Sequence, residues 1–82
     1  MKIHTHKELA SYFRSYRKKH KLSQQDIAEV VGLKQSTVSA FEKKPESTKL
    51  NTLFRLLSAV GLEINISSKN SSFNKNNWHE EW

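Results

Sequence analysis

The sequence predicts an all-α domain of four to five short helices, followed by one β-strand and a disordered tail. Apolar residues recur at three- and four-residue spacing through most of residues 5–60, whereas residues 62–67 alternate apolar with polar. Residues 68–82 contain no aliphatic side chain and are rich in Ser and Asn. With 82 residues, the chain has room for one small domain, residues 1–67, and this tail.

The first helix is expected from about His6 to Lys19. Thr5 and Glu8 have the spacing of an N-terminal capping box, in which a hydroxyl and a carboxylate satisfy free backbone N–H groups. The last turn is cationic, which suits the negative end of the helix dipole. The predicted buried stripe of this helix is Leu9, Phe13 and Tyr16.

Residues 24–41 are typical of a helix-turn-helix, two short helices joined by a tight turn. Ala28 is small enough to let the second helix pack closely against the first. Gly32 can take the left-handed conformation that ends one helix and directs the next. Val38 and Phe41 lie three residues apart, so they share one helical face, which we expect to anchor the second helix on the core.

The two helices of this motif are expected at about residues 24–31 and 35–43. Ser23 and Asp26 form a second capping box at the start of the first of them. Lys34 stands at the N-cap of the second, where lysine is a poor cap. The free N–H groups of this helix end, beside a cation, suit an anion such as a DNA phosphate.

After a loop that begins at Pro45, a fourth helix is expected at about residues 50–60, and Gly61 ends it. The predicted buried residues of this helix are Leu50, Leu53, Phe54, Leu57 and Val60. The strand that follows would leave its N–H and C=O groups unpaired in a single helical domain. We expect it to pair with the same strand of a second copy in a two-fold homodimer, although residues 2–4 of the same chain are a competing partner. The predicted dimerisation residues are Leu62, Ile64 and Ile66.

The net charge of +6 is concentrated in the half of the chain that contains the helix-turn-helix. Residues 1–44 hold ten Lys/Arg and four Asp/Glu, whereas residues 45–82 hold four of each. A polyanion is the simplest partner for such a segment, although a solubilising surface has the same composition.

The composition argues against several other classes of protein. The chain has no cysteine, and no two of its four histidines lie four apart on a predicted helix, so no metal or other cofactor is expected. No nucleophile–base pair or glycine-rich phosphate loop indicates an enzyme. The apolar runs are too short to cross a membrane and no secretory segment follows Met1, so a cytoplasmic, nucleoid-associated protein is expected.

The polar face of the second helix of the motif carries side chains that can hydrogen-bond base edges. A glutamine amide can bridge N6 and N7 of adenine, which makes Gln35, in the first turn, the leading candidate for base recognition. The candidate base-reading residues are Lys34, Gln35, Ser36, Thr37 and Ser39, with Lys34 suited either to a guanine or to a phosphate. The candidate phosphate contacts are Arg14, Ser23, Gln24, Gln25, Lys43 and Lys49.

This pattern resembles the Cro/CI-type (XRE) family of phage and bacterial repressors over about residues 5–61. Arg17 and Glu42 occupy the positions of a partly buried ion pair that joins the first helix to the recognition helix in relatives. Gln24 and Gln35 match a glutamine pair in which one member contacts a phosphate and supports the other against an adenine. The resemblance implies a Cro/CI-type helix-turn-helix domain that represses transcription from an inverted-repeat operator in double-stranded DNA.

The segment LKQSTVSAFE, the predicted strand and the chain end Glu81-Trp82 are similar to the HipB-type antitoxins. These antitoxins repress their own operons and bind HipA-like kinase toxins. The similarity implies the same two roles here, with the tail binding a HipA-like toxin. Aromatic side chains are favoured interface anchors, so the candidate partner-binding residues are Phe73, Trp78 and Trp82. A phage-type repressor without a toxin and a protein-interaction module whose tail is the active part remain as alternatives.

Overall fold

The computed structural model describes residues 2–68, which form four α-helices and one 3₁₀ turn. The elements are α1 (His6–Lys19), α2 (Gln24–Val31), α3 (Gln35–Lys43), the 3₁₀ turn η1 (Pro45–Ser47) and α4 (Leu50–Ala59). The all-helical prediction is confirmed, and the expected loop at Pro45 contains the 3₁₀ turn. The predicted partner-binding residues Phe73, Trp78 and Trp82 lie outside the described residues.

The predicted helix ends coincide with local capping contacts. The Thr5 hydroxyl accepts from the Glu8 N–H at 3.1 Å at the start of α1. The capping box of α2 is complete, because Asp26 N donates to Ser23 Oγ and Ser23 N donates to the Asp26 carboxylate, both at 2.9 Å. Gly32 ends α2 with φ of 68°, in the left-handed region. The turn between α2 and α3 therefore has the conformation that the glycine predicted.

The core lies where α2 and α3 pack against α1 and α4. Phe13 and Phe41 meet edge to face, with ring centroids 5.2 Å apart and an interplanar angle of 83°. Leu9 and Tyr16, expected in the buried stripe of α1, are only half-buried. The buried apolar residues are Ala10, Phe13, Ile27, Ala28, Val38, Phe41, Leu56, Leu57 and Val60. Val38 and Phe41 hold one face of α3 on this core and leave its opposite face exposed.

The prediction for α4 is wrong at two positions. Leu50 and Phe54, expected in the core, are 68% and 51% exposed, whereas Leu56, which was not expected there, is fully buried. At about 100° of rotation per residue, the core-facing side of α4 extends from Leu56 to Leu57, with Leu53 and Val60 between them. Leu50 and Phe54 lie beyond the Leu57 edge. The apolar surface of α4 is therefore wider than the face that the other helices cover.

Residues 62–67, which follow α4, form no β-strand within the described residues of the single chain, so the predicted intermolecular strand stays a prediction. Leu62 packs against the core and its N–H donates to the Leu57 carbonyl at 2.9 Å. Ile64 and Ile66 are exposed, Ile66 by 94%. Residues 2–4 are not paired with this segment either. A strand needs a second row of N–H and C=O groups, and residues 2–68 of one copy do not provide it.

Candidate nucleic-acid interface

The amino end of α3 is exposed and carries no side-chain cap. Lys34, its N-cap residue, has an extended backbone, and its side chain makes no capping hydrogen bond. Gln35 and Ser36 are exposed, whereas Thr37 and Ser39 are half-buried. The first N–H groups of a helix have no partner within the helix, so this end presents donors and a partial positive charge to solvent.

Ala40 is an exposed residue of α3 that the sequence reasoning missed. It lies four residues after Ser36 and three before Lys43, so these three side chains share one exposed face. An alanine methyl can contact the C5-methyl group of thymine. The four- and three-residue spacing places Ala40 on this face, so the sequence alone could have indicated it. Alanine, however, is favoured at any position of a helix, so its presence does not by itself indicate a contact site.

The two glutamines that the sequence paired are hydrogen-bonded to each other. Gln35 Nε2, on α3, donates to Gln24 Oε1, on α2, at 2.5 Å. Gln24 Nε2 in turn donates to Glu42 Oε1 at 3.0 Å. The exposed Gln35 amide is thus connected to a carboxylate near the other end of its own helix by way of α2.

The predicted ion pair between Arg17 and Glu42 is present and buried. Arg17 Nε donates to Glu42 Oε2 at 2.8 Å and Arg17 Nη2 donates to Oε1 at 3.0 Å, which makes the pair bidentate. The two side chains are 9% and 4% exposed. Arg17 Nη1 also donates to the Leu22 carbonyl at 2.9 Å. The pair therefore fixes α1 against the end of α3 and against the loop before α2.

Two candidate phosphate contacts, Arg14 and Lys43, line one shallow cleft between α1 and the α3–η1 junction. Lys7 also lines this cleft, together with the carboxylates of Glu42 and Glu46. Arg14 Nε lies 4.0 Å from Glu42 Oε1, and its side chain is mostly exposed. Three cations against two carboxylates, one of which Arg17 already pairs, leave an excess of positive charge at this edge of the molecule.

The other candidate phosphate contacts lie at the starts of α2 and α4. The Ser23 N–H and hydroxyl are both engaged with Asp26. The hydrogen bond from the Ser23 backbone N–H, and to a smaller extent the nearby Ser23 side chain, hold the pKa of the Asp26 carboxylate below its ordinary value of 3.8. Gln25 Nε2 donates to Glu29 Oε2 at 3.0 Å. Lys49 is the N-cap residue of α4, makes no capping hydrogen bond with its side chain, and is not among the residues that line the cleft.

Within residues 2–68, no helix has the length and apolar composition needed to cross a membrane. In the same range, no three acidic or histidine side chains group as they would around a metal ion.

An exposed helix with an open amino end that follows a glycine turn is the arrangement of a helix-turn-helix, a motif of DNA-binding domains. Comparison with known proteins shows that this helix-turn-helix is of the XRE type. The sequence model of the helix-turn-helix family matches residues 13–66, and the chain belongs to this family.

The chain is also a homologue of particular antitoxins. It is 33% identical to antitoxin HipB of Escherichia coli (strain K12) over 72 residues, which cover 87% of this chain and 82% of HipB. Two solved structures, a HipB-O4 20mer complex and a HipA-HipB-O2-O3 complex, contain a chain similar in fold and sequence. Each superposes with a TM-score of 0.82 at 30% identity and covers 85% of this chain and 99% of that chain.

Proposed function

We propose that this chain is a sequence-specific transcriptional repressor that reads duplex DNA with α3, and that it is the antitoxin of a toxin–antitoxin operon. The observation that carries the DNA-binding part is the Gln35 side chain, which Gln24 holds at the exposed, uncapped start of α3. The similarity to a chain in a HipB-O4 20mer complex supports the same assignment. The protein acts as a binding protein without catalysis, in the cytoplasm at the nucleoid.

In this proposal, the exposed face of α3 lies in the major groove, with its amino end toward the bases. Gln35 contacts an adenine, and the shorter side chains Ser36, Thr37 and Ser39 contact neighbouring base edges. Arg14 and Lys43 bind a phosphate at the cationic cleft. The remaining backbone contacts are assigned to Ser23, Gln24, Gln25, Lys34 and Lys49.

Binding to a duplex selected by the full chain from a random library tests the base-reading role. Gln35→Ala is expected to cost about 1–3 kcal/mol on the selected duplex and little on random DNA, because only a base contact distinguishes the two. Lys34→Ala is the comparison variant for a phosphate contact and should lower the slope of log K against log salt by about one. Ser58→Ala, exposed near the end of α4, is the matched neutral control. An equal loss for Gln35→Ala on both duplexes would limit Gln35 to the DNA backbone.

We further propose that residues 62–67 pair with the same segment of a second copy to form a two-fold dimer. The support is the alternation of the segment together with the exposure of Ile64 and Ile66 in the single chain. A dimer presents two α3 helices, so the operator is an inverted repeat with half-sites about 34–36 Å apart or a multiple of that distance. Light scattering at micromolar concentration should give the mass of a dimer, and Ile64→Asp should halve it. A wild-type monomer contradicts this arrangement.

The toxin-binding part of the proposal assigns a HipA-like kinase toxin to the tail that contains Phe73, Trp78 and Trp82. The similarity to a chain of a HipA-HipB-O2-O3 complex supports it. Removal of residues 69–82 should abolish binding to a kinase-like toxin encoded beside this gene and leave operator binding intact, and Trp82→Ala should weaken toxin binding alone. Operator binding with no toxin partner would indicate a phage-type repressor. Toxin binding by an intact chain that does not bind DNA would indicate an interaction module.

A further inference from the structure

We propose that Glu42 is a positioning residue for base recognition, because its carboxylate, acting through Gln24, determines which way round the Gln35 amide faces the DNA. The inference rests on the proposed base-reading role of Gln35. Its structural basis is the continuous hydrogen-bond path from Arg17 through Glu42 and Gln24 to Gln35, which crosses from α1 to the exposed start of α3.

The path has a fixed donor–acceptor direction at its buried end. Arg17 holds Glu42 as a bidentate ion pair in which the carboxylate is 4% exposed. An ionised carboxylate can only accept hydrogen bonds. Gln24 must therefore present its amide nitrogen to Glu42 Oε1, as it does at 3.0 Å. The reversed amide would place its own oxygen against the carboxylate oxygen and lose this bond.

The orientation of the Gln24 amide in turn determines that of the exposed Gln35 amide. Two neutral amides can pair in either of two ways, since either amide can be the donor. With the nitrogen of Gln24 committed to Glu42, its oxygen faces Gln35 and accepts from Gln35 Nε2. The carboxylate thus removes one of the two arrangements, although it makes no contact with Gln35 itself.

The consequence is a defined pattern of hydrogen-bonding groups at the DNA surface. Gln35 retains its oxygen as an acceptor and one N–H as a donor for DNA, because the other N–H is bonded to Gln24. Adenine offers a donor at N6 and an acceptor at N7, which match this pattern, whereas guanine offers two acceptors at O6 and N7. An amide that is free to turn can direct a second N–H toward guanine. Glu42 therefore increases discrimination between the two purines.

Side-chain amide NMR of the ¹⁵N-labelled full chain without DNA tests the positioning directly. Glu42→Gln keeps the shape of the side chain but can accept or donate, so the Gln35 amide should shift toward the position of a free glutamine and exchange with solvent several-fold faster. Should the single variant unfold, the double variant Arg17→Met/Glu42→Gln removes both charges and leaves neither unpaired. Unchanged Gln35 amide signals in a folded variant would overturn the inference.

A second measurement uses the selected duplex and the same duplex with guanine in place of the adenine that Gln35 contacts. The wild-type chain should prefer adenine by roughly 5- to 150-fold, the range for a good bidentate contact. Glu42→Gln should lower this adenine preference most of the way to the value for Gln35→Ala. In a chain that already carries Gln24→Ala, adding Glu42→Gln should not change the preference further. If Glu42 were purely structural, Glu42→Gln would lower the affinities for both duplexes by the same factor and leave their ratio unchanged. That result would overturn the positioning role of Glu42 but not the base-reading role of Gln35. A wild-type chain with no preference would overturn the base-reading role of Gln35 as well.

Discussion

Replacing Glu42 with alanine removes the carboxylate partner of an arginine whose side chain is only 9% exposed. Arg17 would keep the Leu22 carbonyl as an acceptor but would lose both hydrogen bonds to the carboxylate, and its charge would remain buried. Breaking a buried pair in this way costs about 3–5 kcal/mol. A domain of this size has a free energy of unfolding of only about 3–10 kcal/mol, so the loss is a large part of the total. At about 4–8 °C per kcal/mol, the melting temperature should fall by about 12 °C or more.

Urea unfolding followed by far-ultraviolet circular dichroism at 25 °C measures this loss. Glu63→Ala is the matched control, because Glu63 is exposed and should change the free energy of unfolding by no more than about 0.5 kcal/mol. The double variant Arg17→Met/Glu42→Leu should regain most of the stability, since no charge is left unpaired. If Glu42→Ala loses no more than Glu63→Ala does, the pair is not the tie between α1 and α3 that the geometry indicates.

Four further substitutions have defined outcomes. Gly32→Ala and Gly61→Ala should each lower the free energy of unfolding by about 1–2 kcal/mol in urea titrations, because both glycines have positive φ, 68° and 77°. The two losses should be similar, because neither site is crowded: an added Cβ would meet only Arg55 Nη2, at 3.7 Å, at Gly32 and no atom within 4 Å at Gly61. A much larger loss at Gly32 would mean that a steric contact, and not the positive φ, causes it. Ser23 holds the pKa of Asp26 below 3.8, so the folded state keeps this carboxylate ionised at a lower pH than the unfolded state does. The contribution of the ionised carboxylate to the free energy of unfolding is therefore complete above about pH 4 and is lost as the pH falls. Asp26→Asn should therefore weaken the pH dependence of stability below about pH 4, whereas the exposed control Ser58→Ala, which removes no titrating group, should not; equal profiles for both would argue against the capping box. Arg55→Met should loosen the end of α2, because Arg55 Nη2 donates to the Val31 carbonyl, and faster hydrogen exchange confined to α2 would show it, whereas wild-type exchange rates would contradict it.

The helix boundaries of this protein could be predicted because their causes are local. Ser23 and Asp26 are three residues apart, and their capping box forms wherever the chain turns into α2. Gly32 ends that helix for a reason that lies in its own backbone. The bounds expected for α1, α2 and α3 therefore agree with those of the structure, and the glutamine and ion pairs followed from the family resemblance.

The contacts that these residues make, and whether they are buried, depend on packing between helices, which no local pattern in the sequence contains. Glu42 meets Gln24, 18 residues away, and Arg17, 25 residues away, only because α1, α2 and α3 converge at one point. Phe54 is exposed although its apolar side chain suited the core, because burial depends on which face a neighbouring helix covers. The alternation in residues 62–67 indicates a tendency to form a strand, but pairing requires a second segment, which the described residues of a single chain do not supply. Contacts along one helix turn are set by sequence spacing, whereas contacts between helices are set by how whole helices pack.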